Sequence, residues 1–397
     1  MLSSKAQQIQ KKVLEVYQKE NPSTYNIEKD EAALKKIQDY GDRLYTYSLK
    51  ILPQVFKGAT LLEFGTGTGE RSTNFLRWGA ECTFVEMNDK AVDRAAFLFE
   101  KFYPESKYRL VNRSLFDFES DQKYDITVSN AVIHHTPDVE QAFARQVSYL
   151  KPGGINVLGI GNTGACIQRN LQRFIVYSFA GNDEKEIEKV AEDLFQEHLN
   201  RAERFGGRKR KAIIYDTYVN PKMDFVSVAE ILEWYKKYGL QFYTSWPPVI
   251  PNVLADDLAG ATDFRNYPEL LSYPEWIWGT QIQEDKKLLK LLNKNVSKRS
   301  SSFRELAESL NDVTHETLDT KNVLHNVESA LDSFTKTPEI NIVETRHLKE
   351  WLSEISEIMR GISQNDYERV ASIVKNSHLL FRGKGGIGLN YFAAIKL

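Results

Sequence analysis

The sequence predicts an α/β protein built on a doubly wound, mostly parallel sheet, with a helical cap and a large helical insertion. Between residues 59 and 161, short apolar segments alternate with helical ones, which is the pattern of repeated βα units. A glycine-rich loop follows the first of these segments. Residues 281–337 contain neither glycine nor proline, which predicts helices there.

Length and composition limit the number of domains and the class of partner. The chain has 397 residues, which at about 100–200 residues per domain predicts two or three structural units. Hydrophobic residues make up 42% and charged residues 27%, as in a globular protein with a sizeable core. The 52 basic and 54 acidic residues give a net charge of −2, which argues against nucleic acid as the main partner.

The cysteines and the hydropathy pattern indicate the compartment. Cys82 and Cys166 are too few for a disulfide framework or a four-thiolate zinc site, and they fit a reducing cytosol. The first residues lack the apolar core of a signal peptide, and no run of eighteen apolar residues occurs. The sequence therefore predicts a soluble cytoplasmic protein that does not bind membranes.

The first elements follow from periodicity. Residues 1–57 predict a helical lead-in, since Ile9, Val13 and Tyr17 share one helix face. A domain over 58–255 then begins with five apolar runs that predict strands. The predicted strands are Thr60–Phe64, Cys82–Glu86, Tyr108–Val111, Tyr124–Val128 and Gly154–Gly159.

After Gly161 the alternation stops. Residues 165–205 predict a cap of two helices, the second continuous through Ile187 and Leu199. A further βα unit resumes with a helix over 227–238, a stop at Gly239 and a strand over 240–244.

The segment 256–379 predicts an acidic helical insertion with 21 acidic and 15 basic residues and with a polar break at residues 300–302. The last segment, 380–397, contains the strand pattern Leu389–Lys396. A lone strand must pair, and its most economical partner is the first sheet, so the insertion interrupts a single domain. The insertion is also the predicted surface for a homo-oligomer.

A glycine-rich loop is the sharpest local motif. In Glu63-Phe64-Gly65-Thr66-Gly67-Thr68-Gly69 the glycines allow a ligand to approach the backbone closely. A dinucleotide site needs a small residue where this chain has Glu70, which counts against NAD. A tight turn without a ligand is the other interpretation. Glu86 ends the second strand 21 residues after Gly65, where a carboxylate can accept ribose hydroxyl groups.

Two further motifs complete a family resemblance. The fourth strand runs into Asn130-Ala131-Val132-Ile133-His134-His135-Thr136-Pro137-Asp138, and Leu150-Lys151-Pro152-Gly153-Gly154 follows. With the glycine loop, this pairing resembles the signature of class I S-adenosylmethionine-dependent methyltransferases of the small-molecule branch. The resemblance is strong over residues 59–162. It implies a Rossmann-like methyltransferase sheet with an antiparallel last strand.

The resemblance also implies a cofactor and its contacts. S-adenosylmethionine would be the cofactor, and its methyl group would pass to oxygen, nitrogen or carbon of a small molecule by in-line displacement. Each predicted contact is carried over from the family: Glu63 and the backbone of Gly65, Gly67 and Gly69 to the methionine moiety, Glu86 to the ribose, Ser114 and Leu115 to the adenine, and Asn130 to the methionine amino end.

His134 and His135 are the candidate catalytic bases, because they leave the carboxyl end of the fourth strand, where open α/β sheets bind ligands. One of the two could instead hydrogen-bond the loop backbone. The other five histidines show no paired ligand spacing, so no metal site is predicted.

The acceptor is not predicted beyond its class. The basic run 208–211 could bind an anionic substrate group or lie in a solvated loop. A cofactor-binding partner subunit without catalysis, and a nucleotide-dependent oxidoreductase, are the alternative functions.

Overall fold

The structure is a computed structural model, and it describes residues 3–20, 27, 30–206, 208–249, 275, 294–311, 313–337, 342–381 and 389–397. Within these residues, seven strands form one sheet in the order β3-β2-β1-β4-β5-β7-β6. The strands are β1 (Thr60–Phe64), β2 (Glu81–Glu86), β3 (Tyr108–Asn112), β4 (Tyr124–Asn130), β5 (Leu150–Gly161), β6 (Leu240–Trp246) and β7 (Leu389–Lys396).

Strands β1 to β5 pair in parallel, which confirms the predicted doubly wound sheet. Leu61, Leu62 and Phe64 of β1 are completely buried, as expected for a central parallel strand that is covered on both faces. The strand order reverses between β1 and β4. Ligands of open α/β sheets bind at this reversal, at the carboxyl ends of the strands.

Strand β7 lies between β5 and β6 in the sheet, and it is formed by the predicted residues. It runs antiparallel to β5 on one side, with Ile155 opposite Ile395, and antiparallel to β6 on the other, with Leu240 opposite Lys396. The insertion therefore connects two adjacent strands of one sheet.

The lead-in is helical, as predicted. Helix α1 (Ser4–Lys19) is capped by the Ser3 side chain and buries Val13 and Val16. Helix α2 (Glu31–Asp42) continues into a π-helical turn over Arg43–Ser48, whose Tyr45 packs with the aromatic rings beneath β1.

Further helices flank the sheet. They are α3 (Thr73–Arg77), α4 (Asp89–Phe102), α5 (Val139–Ser148) and, before β6, α10 (Val228–Lys237). Helix α10 begins with a capping box between Ser227 and Glu230, and Gly239 follows it at φ +67°. The predicted helix stop at Gly239 is confirmed.

The cap contains more helices than predicted. It consists of α6 (Ile167–Ala180), α7 (Glu184–Leu194) and α8 (Gln196–Gly206), followed by α9 (Arg210–Ile214) and a π-helical turn over Tyr215–Val219. The expected continuous helix from Ile187 to Leu199 is wrong, because Phe195 leaves helical geometry at φ −120°. The buried Phe195 ring packs against Phe381 at 5.2 Å, which fixes the turn.

Four helices of the insertion are described: α11 (Lys294–Glu308), α12 (Thr320–Thr335), α13 (Ile342–Ser363) and α14 (Tyr367–Asn376). The predicted polar break at residues 300–302 is wrong, since α11 runs through it. Ser300 and Ser302 are buried there, and Phe303 and Leu306 provide the apolar anchor. Most of 250–293 lies outside the described residues.

Insertion and cap share one hydrophobic core. Trp351, Leu331 and Phe303 of the insertion belong to the same buried cluster as Phe174 and Leu199 of the cap. Two other clusters lie against the faces of the sheet. None of the helices in the described part of the chain is long and apolar enough to cross a bilayer.

Candidate active site

A cavity of about 820 Å³ lies at the carboxyl ends of β1, β2 and β4. The sheet forms its floor, and helices α1, α6 and α8 contribute to its walls. This is the place and the size at which open α/β sheets bind small ligands. Nine of the ten predicted site residues line it: Glu63, Gly65, Gly67, Glu86, Ser114, Leu115, Asn130, His134 and His135.

The glycine loop brings backbone to the cavity wall. Gly65 and Gly67 have φ values of +73° and +57°, which favour glycine. A Cβ atom on Gly65 would lie 2.3 Å from a methyl carbon of Val132. Glycine is thus required for the loop after β1 and the loop after β4 to meet at the cavity.

The tenth predicted residue, Gly69, does not line the cavity. Its Cβ position would lie 2.9 Å from Cβ of Ala95 in α4, and its φ is +86°. The structure therefore places Gly69 where the loop packs closely against α4, between cavity-lining residues on either side of it in the chain.

Glu86 is held by the backbone at the end of β2. Its Oε2 accepts a hydrogen bond from the Gly67 N–H at 2.9 Å, and its Oε1 accepts one from the Asn88 N–H at 2.8 Å. Burial raises the pKa of Glu86, and these backbone donors oppose the rise. Backbone donors thus fix the carboxyl group beside the glycine loop.

Glu63, the penultimate residue of β1, is more deeply buried than Glu86. Its side chain is 3% exposed, and the Ser72 hydroxyl donates to its Oε2. Burial raises the pKa of Glu63 to about 8, although the bond from Ser72 opposes this. The charge of Arg71 also opposes the rise, and Glu63 is mostly protonated at neutral pH.

The predicted adenine contacts and Asn130 border the same space. Ser114 and Leu115 are both buried, and the Ser114 hydroxyl accepts from the Phe116 N–H at 3.2 Å. After Asn130, Ala131 adopts a left-handed conformation at φ +58°, which is strained for a residue with a Cβ atom. This turn directs the chain from β4 across the cavity.

The His134 ring carries its proton on Nε2, because Nδ1 faces a backbone N–H group. Its Nδ1 accepts from the Gly161 N–H at 3.3 Å, so the neutral ring carries its hydrogen on Nε2. Burial lowers the pKa of His134 well below its usual value, and His135 adds to this. His134 is therefore neutral, with an Nε2–H group that can donate a hydrogen bond.

His135 has the opposite tautomer. Its Nδ1 lies 2.9 Å from the Lys222 carbonyl oxygen, which can only accept, so Nδ1 carries the hydrogen. The Asn220 amide nitrogen is also 3.1 Å from Nδ1, but it donates to the Tyr17 hydroxyl at 2.8 Å. Burial lowers the pKa of His135, and Asp216 partly offsets this. A neutral imidazole with a lone pair on Nε2 results.

Sequence reasoning missed a polar network behind His135. The Tyr17 hydroxyl donates to Asp216 at 3.3 Å, and the Arg208 guanidinium donates to the same carboxylate at 2.9 Å. Burial would raise the pKa of Asp216, but Arg208 and His135 lower it to about 2. The network thus places a permanent carboxylate near the His135 ring.

The four residues of the basic run 208–211 have different surroundings, and Arg210 and Lys211 lie in α9 rather than in a loop. Arg208 lines the cavity and pairs with Asp216. Arg210 instead interacts with Asn200 and with Glu203 in the cap, at 2.6 Å and 3.5 Å. Among the residues described, no three His, Cys, Asp or Glu side chains are grouped to hold a metal ion.

Comparisons with known proteins agree with this arrangement. The family model described as a methyltransferase domain matches residues 36–243, just over half of the chain. A ubiquinone biosynthesis O-methyltransferase of Paramagnetospirillum magneticum is 32% identical over 104 residues, which cover 26% of this chain and 41% of the relative. Its counterpart from a Bradyrhizobium strain is 27% identical over 129 residues, which cover 32% of this chain and 50% of the relative.

Among solved structures, a magnesium protoporphyrin IX methyltransferase from Synechocystis with bound S-adenosylhomocysteine is 13% identical. The match covers 52% of this chain and 74% of that one, with a TM-score of 0.34. The chain spans about half or less of the length of the two curated relatives. With the family model matched from α2 to β6, across the glycine loop, Glu86 and both histidines, the chain belongs to the methyltransferase domain family.

Proposed function

We propose that the chain binds S-adenosylmethionine and transfers its methyl group to a small-molecule acceptor. One observation supports this above all. In a chain of the methyltransferase domain family, the glycine loop, Glu63, Glu86 and His135 converge on a single cavity from strands that are far apart in sequence.

The residues present fit the cofactor. Glu86 lines the cavity with a carboxylate that can accept from ribose hydroxyls, and Gly65 and Gly67 leave the backbone of the loop accessible. Leu115 offers an apolar contact for a base, and Glu63 can offset a positive charge. When bound, S-adenosylmethionine supplies a methyl group on a positively charged sulfur, which leaves as a neutral thioether.

His135 is the proposed base for a hydroxyl acceptor. As the acceptor oxygen bonds to the methyl carbon and the carbon–sulfur bond breaks, the hydroxyl proton passes to Nε2 of His135. The Lys222 carbonyl keeps the required tautomer, and the Asp216 carboxylate stabilises the imidazolium that forms. The curated relatives are named as O-methyltransferases, which supports oxygen over nitrogen or carbon as the acceptor atom.

Both cysteines are buried free thiols, which suits a reducing, cytosolic location. We also propose an anionic acceptor rather than nucleic acid or membrane, and a metal-free reaction. A homo-oligomer through the helical insertion stays a prediction, and light scattering of the purified chain tests it.

Transfer of a labelled methyl group tests the activity. The chain is incubated with methyl-labelled S-adenosylmethionine and a panel of phenols, amines and carbon acids. We expect label on a hydroxyl compound. Because burial lowers the pKa of His135, the rate should fall only at pH values below about 6.5, the ordinary histidine pKa, and this acidic limb should be lost in His135→Gln. If the cofactor binds but no compound is labelled, the alternative of a non-catalytic partner subunit replaces this proposal.

A further inference from the structure

We infer that the acceptor carries a carboxylate or phosphate group that Arg169 and Arg201 bind on the cap side of the cavity. This inference rests on the proposed function, since it names the acceptor class for the same site. The supporting observations are the positions of the two arginines, the charges around them and their lack of carboxylate partners among the described residues.

The two side chains come from different cap helices and reach the same cavity. Arg169 lies in the first turn of α6, and Arg201 lies in the middle of α8. Both line the cavity that Glu63 and His135 also line, and both are partly exposed to it. They therefore belong to the part of the cavity that the cap covers.

Arg169 is electrostatically close to the proposed base. Burial is the main cause of the lowered pKa values of His134 and His135, and the charge of Arg169 adds to both. It also contributes to the low pKa of Asp216. A group held by Arg169 would thus lie near the atoms that take part in proton transfer.

The charge balance on the cap side of the cavity is positive. Arg208 is neutralised by its ion pair with Asp216 at 2.9 Å. His198 is neutral, because burial and the arginines around it lower its pKa to about 3. Arg169 and Arg201 repel each other, since burial and then Arg169 lower the pKa of Arg201.

The acidic group that acts on Arg201 is Glu197. Glu197, one turn before Arg201 on α8, raises the pKa of Arg201 but lies on the exposed side of the helix. Over the described ranges, neither Arg169 nor Arg201 has a hydrogen bond or an ion pair with a carboxylate. A bound anion would relieve their repulsion, and guanidinium groups bind carboxylates and phosphates through paired hydrogen bonds.

Calorimetric titration tests this with three probes on the chain saturated with S-adenosylhomocysteine. Benzoate and phenyl phosphate carry the two acidic groups, and benzamide is the neutral counterpart. We expect at least one acidic probe to bind about tenfold or more tightly than benzamide, which is the scale of hydrogen bonds to a charged group. The stronger of the two acids identifies the group.

Variants locate the contact. Arg169→Gln and Arg201→Gln should each weaken the acidic probe about tenfold while leaving the affinity for S-adenosylhomocysteine within about threefold. Arg204→Gln is the matched control, since Arg204 is exposed on the same helix and does not line the cavity.

The inference is overturned if no acidic probe binds, if benzamide binds equally well, or if Arg169→Gln binds the acid normally. It is also overturned if Arg169→Gln weakens S-adenosylhomocysteine as much as the acid, because the arginine then serves the cofactor carboxylate. Failure of the unmodified chain to bind S-adenosylhomocysteine would instead contradict the proposed function.

Discussion

Two carboxyl groups at the ends of neighbouring strands are tuned differently. Glu86 accepts two backbone hydrogen bonds, whereas Glu63 accepts one from the Ser72 hydroxyl and is almost fully buried. Backbone donors favour the ionised form, and burial without them favours the neutral one. Glu63 is thus the group whose charge a cationic ligand can change.

Binding of S-adenosylmethionine should release a proton from Glu63. The pKa of Glu63 is about 8 in the free protein, so it is neutral at about pH 6.5, and a bound cation favours its ionised form. Calorimetry at this pH in buffers of different ionisation enthalpy should show release approaching one proton. Glu63→Gln should bind with no release, and equal release in that variant would exclude Glu63 as the source.

Glu86→Ala should weaken S-adenosylmethionine binding by about 1.5–3 kcal/mol, the scale for losing hydrogen bonds to a charged group. Equilibrium dialysis with the labelled cofactor measures this. Glu100→Ala provides the control, because Glu100 is exposed at the end of α4 and does not line the cavity. An unchanged affinity in Glu86→Ala would remove Glu86 from the site.

The sequence located the site residues that belong to one local motif. It did not locate those that meet only because α1 packs on the cap. The spacing from Gly65 to Glu86 reflects a single βα unit, so the sequence locates both. Tyr17 and Asp216 are separated by 199 positions and meet only through packing of α1 on the cap. No local pattern marks such a contact, although Tyr17 lies on the helix face that was predicted to be buried.

At the scale of elements, α1 forms one wall of the cavity. Gln10, Val13 and Tyr17 of this helix line the cavity. Several of its outer contacts are exposed ion pairs, such as Lys12 to Glu316 at 2.8 Å and Lys19 to Glu184 at 2.9 Å. Exposed pairs contribute about 0–1 kcal/mol each, so the helix is held mainly by its apolar face.

Bound cofactor should therefore slow hydrogen exchange in α1. Mass spectrometry with and without S-adenosylhomocysteine should show protection of the amides of residues 4–19, since a ligand in the cavity contacts this wall. Amides of α12 serve as the control because that helix does not line the cavity. Protection of the glycine loop without protection of α1 would contradict this role.

The strands were predicted more accurately than the cap helices, for a physical reason. A central strand such as β1 is a short apolar run between turn residues, so the sequence limits it on both sides. The break at Phe195 instead depends on a ring contact with Phe381, 186 positions later. Helical periodicity continues through Phe195 and contains no sign of that partner.

At the scale of the whole molecule, the insertion is built onto the cap. Their shared core includes Trp351, which is completely buried, with Ile187 and Leu199 of the cap. We propose that the cap and the insertion form one structural unit. The insertion would then stabilise the wall that carries Arg169 and Arg201.

Trp351→Ala should lower the free energy of unfolding by about 3–5 kcal/mol, the cost of removing a large buried aromatic side chain. Chemical denaturation measures it, and Lys349→Ala on the same helix is the exposed control. Hydrogen exchange in α7 should also accelerate, because α7 shares the core. Faster exchange confined to α13 would show that the insertion is independent of the cap.

The sequence predicted that the chain returns to its sheet, because an apolar strand cannot remain unpaired. It did not predict where the insertion packs. The apolar faces of α12 and α13 show which residues are buried, such as Leu331 and Trp351, but not which surface covers them.

Calorimetric titration of the chain with S-adenosylhomocysteine and with NAD tests the central claim most directly. The cavity should bind S-adenosylhomocysteine at one site, because Glu86 and the glycine loop present ribose and backbone contacts. It should not bind NAD, because the buried carboxyl of Glu70 lines the cavity beside that loop and disfavours a pyrophosphate. Absence of binding heat with S-adenosylhomocysteine, or tighter binding of NAD, would contradict the account.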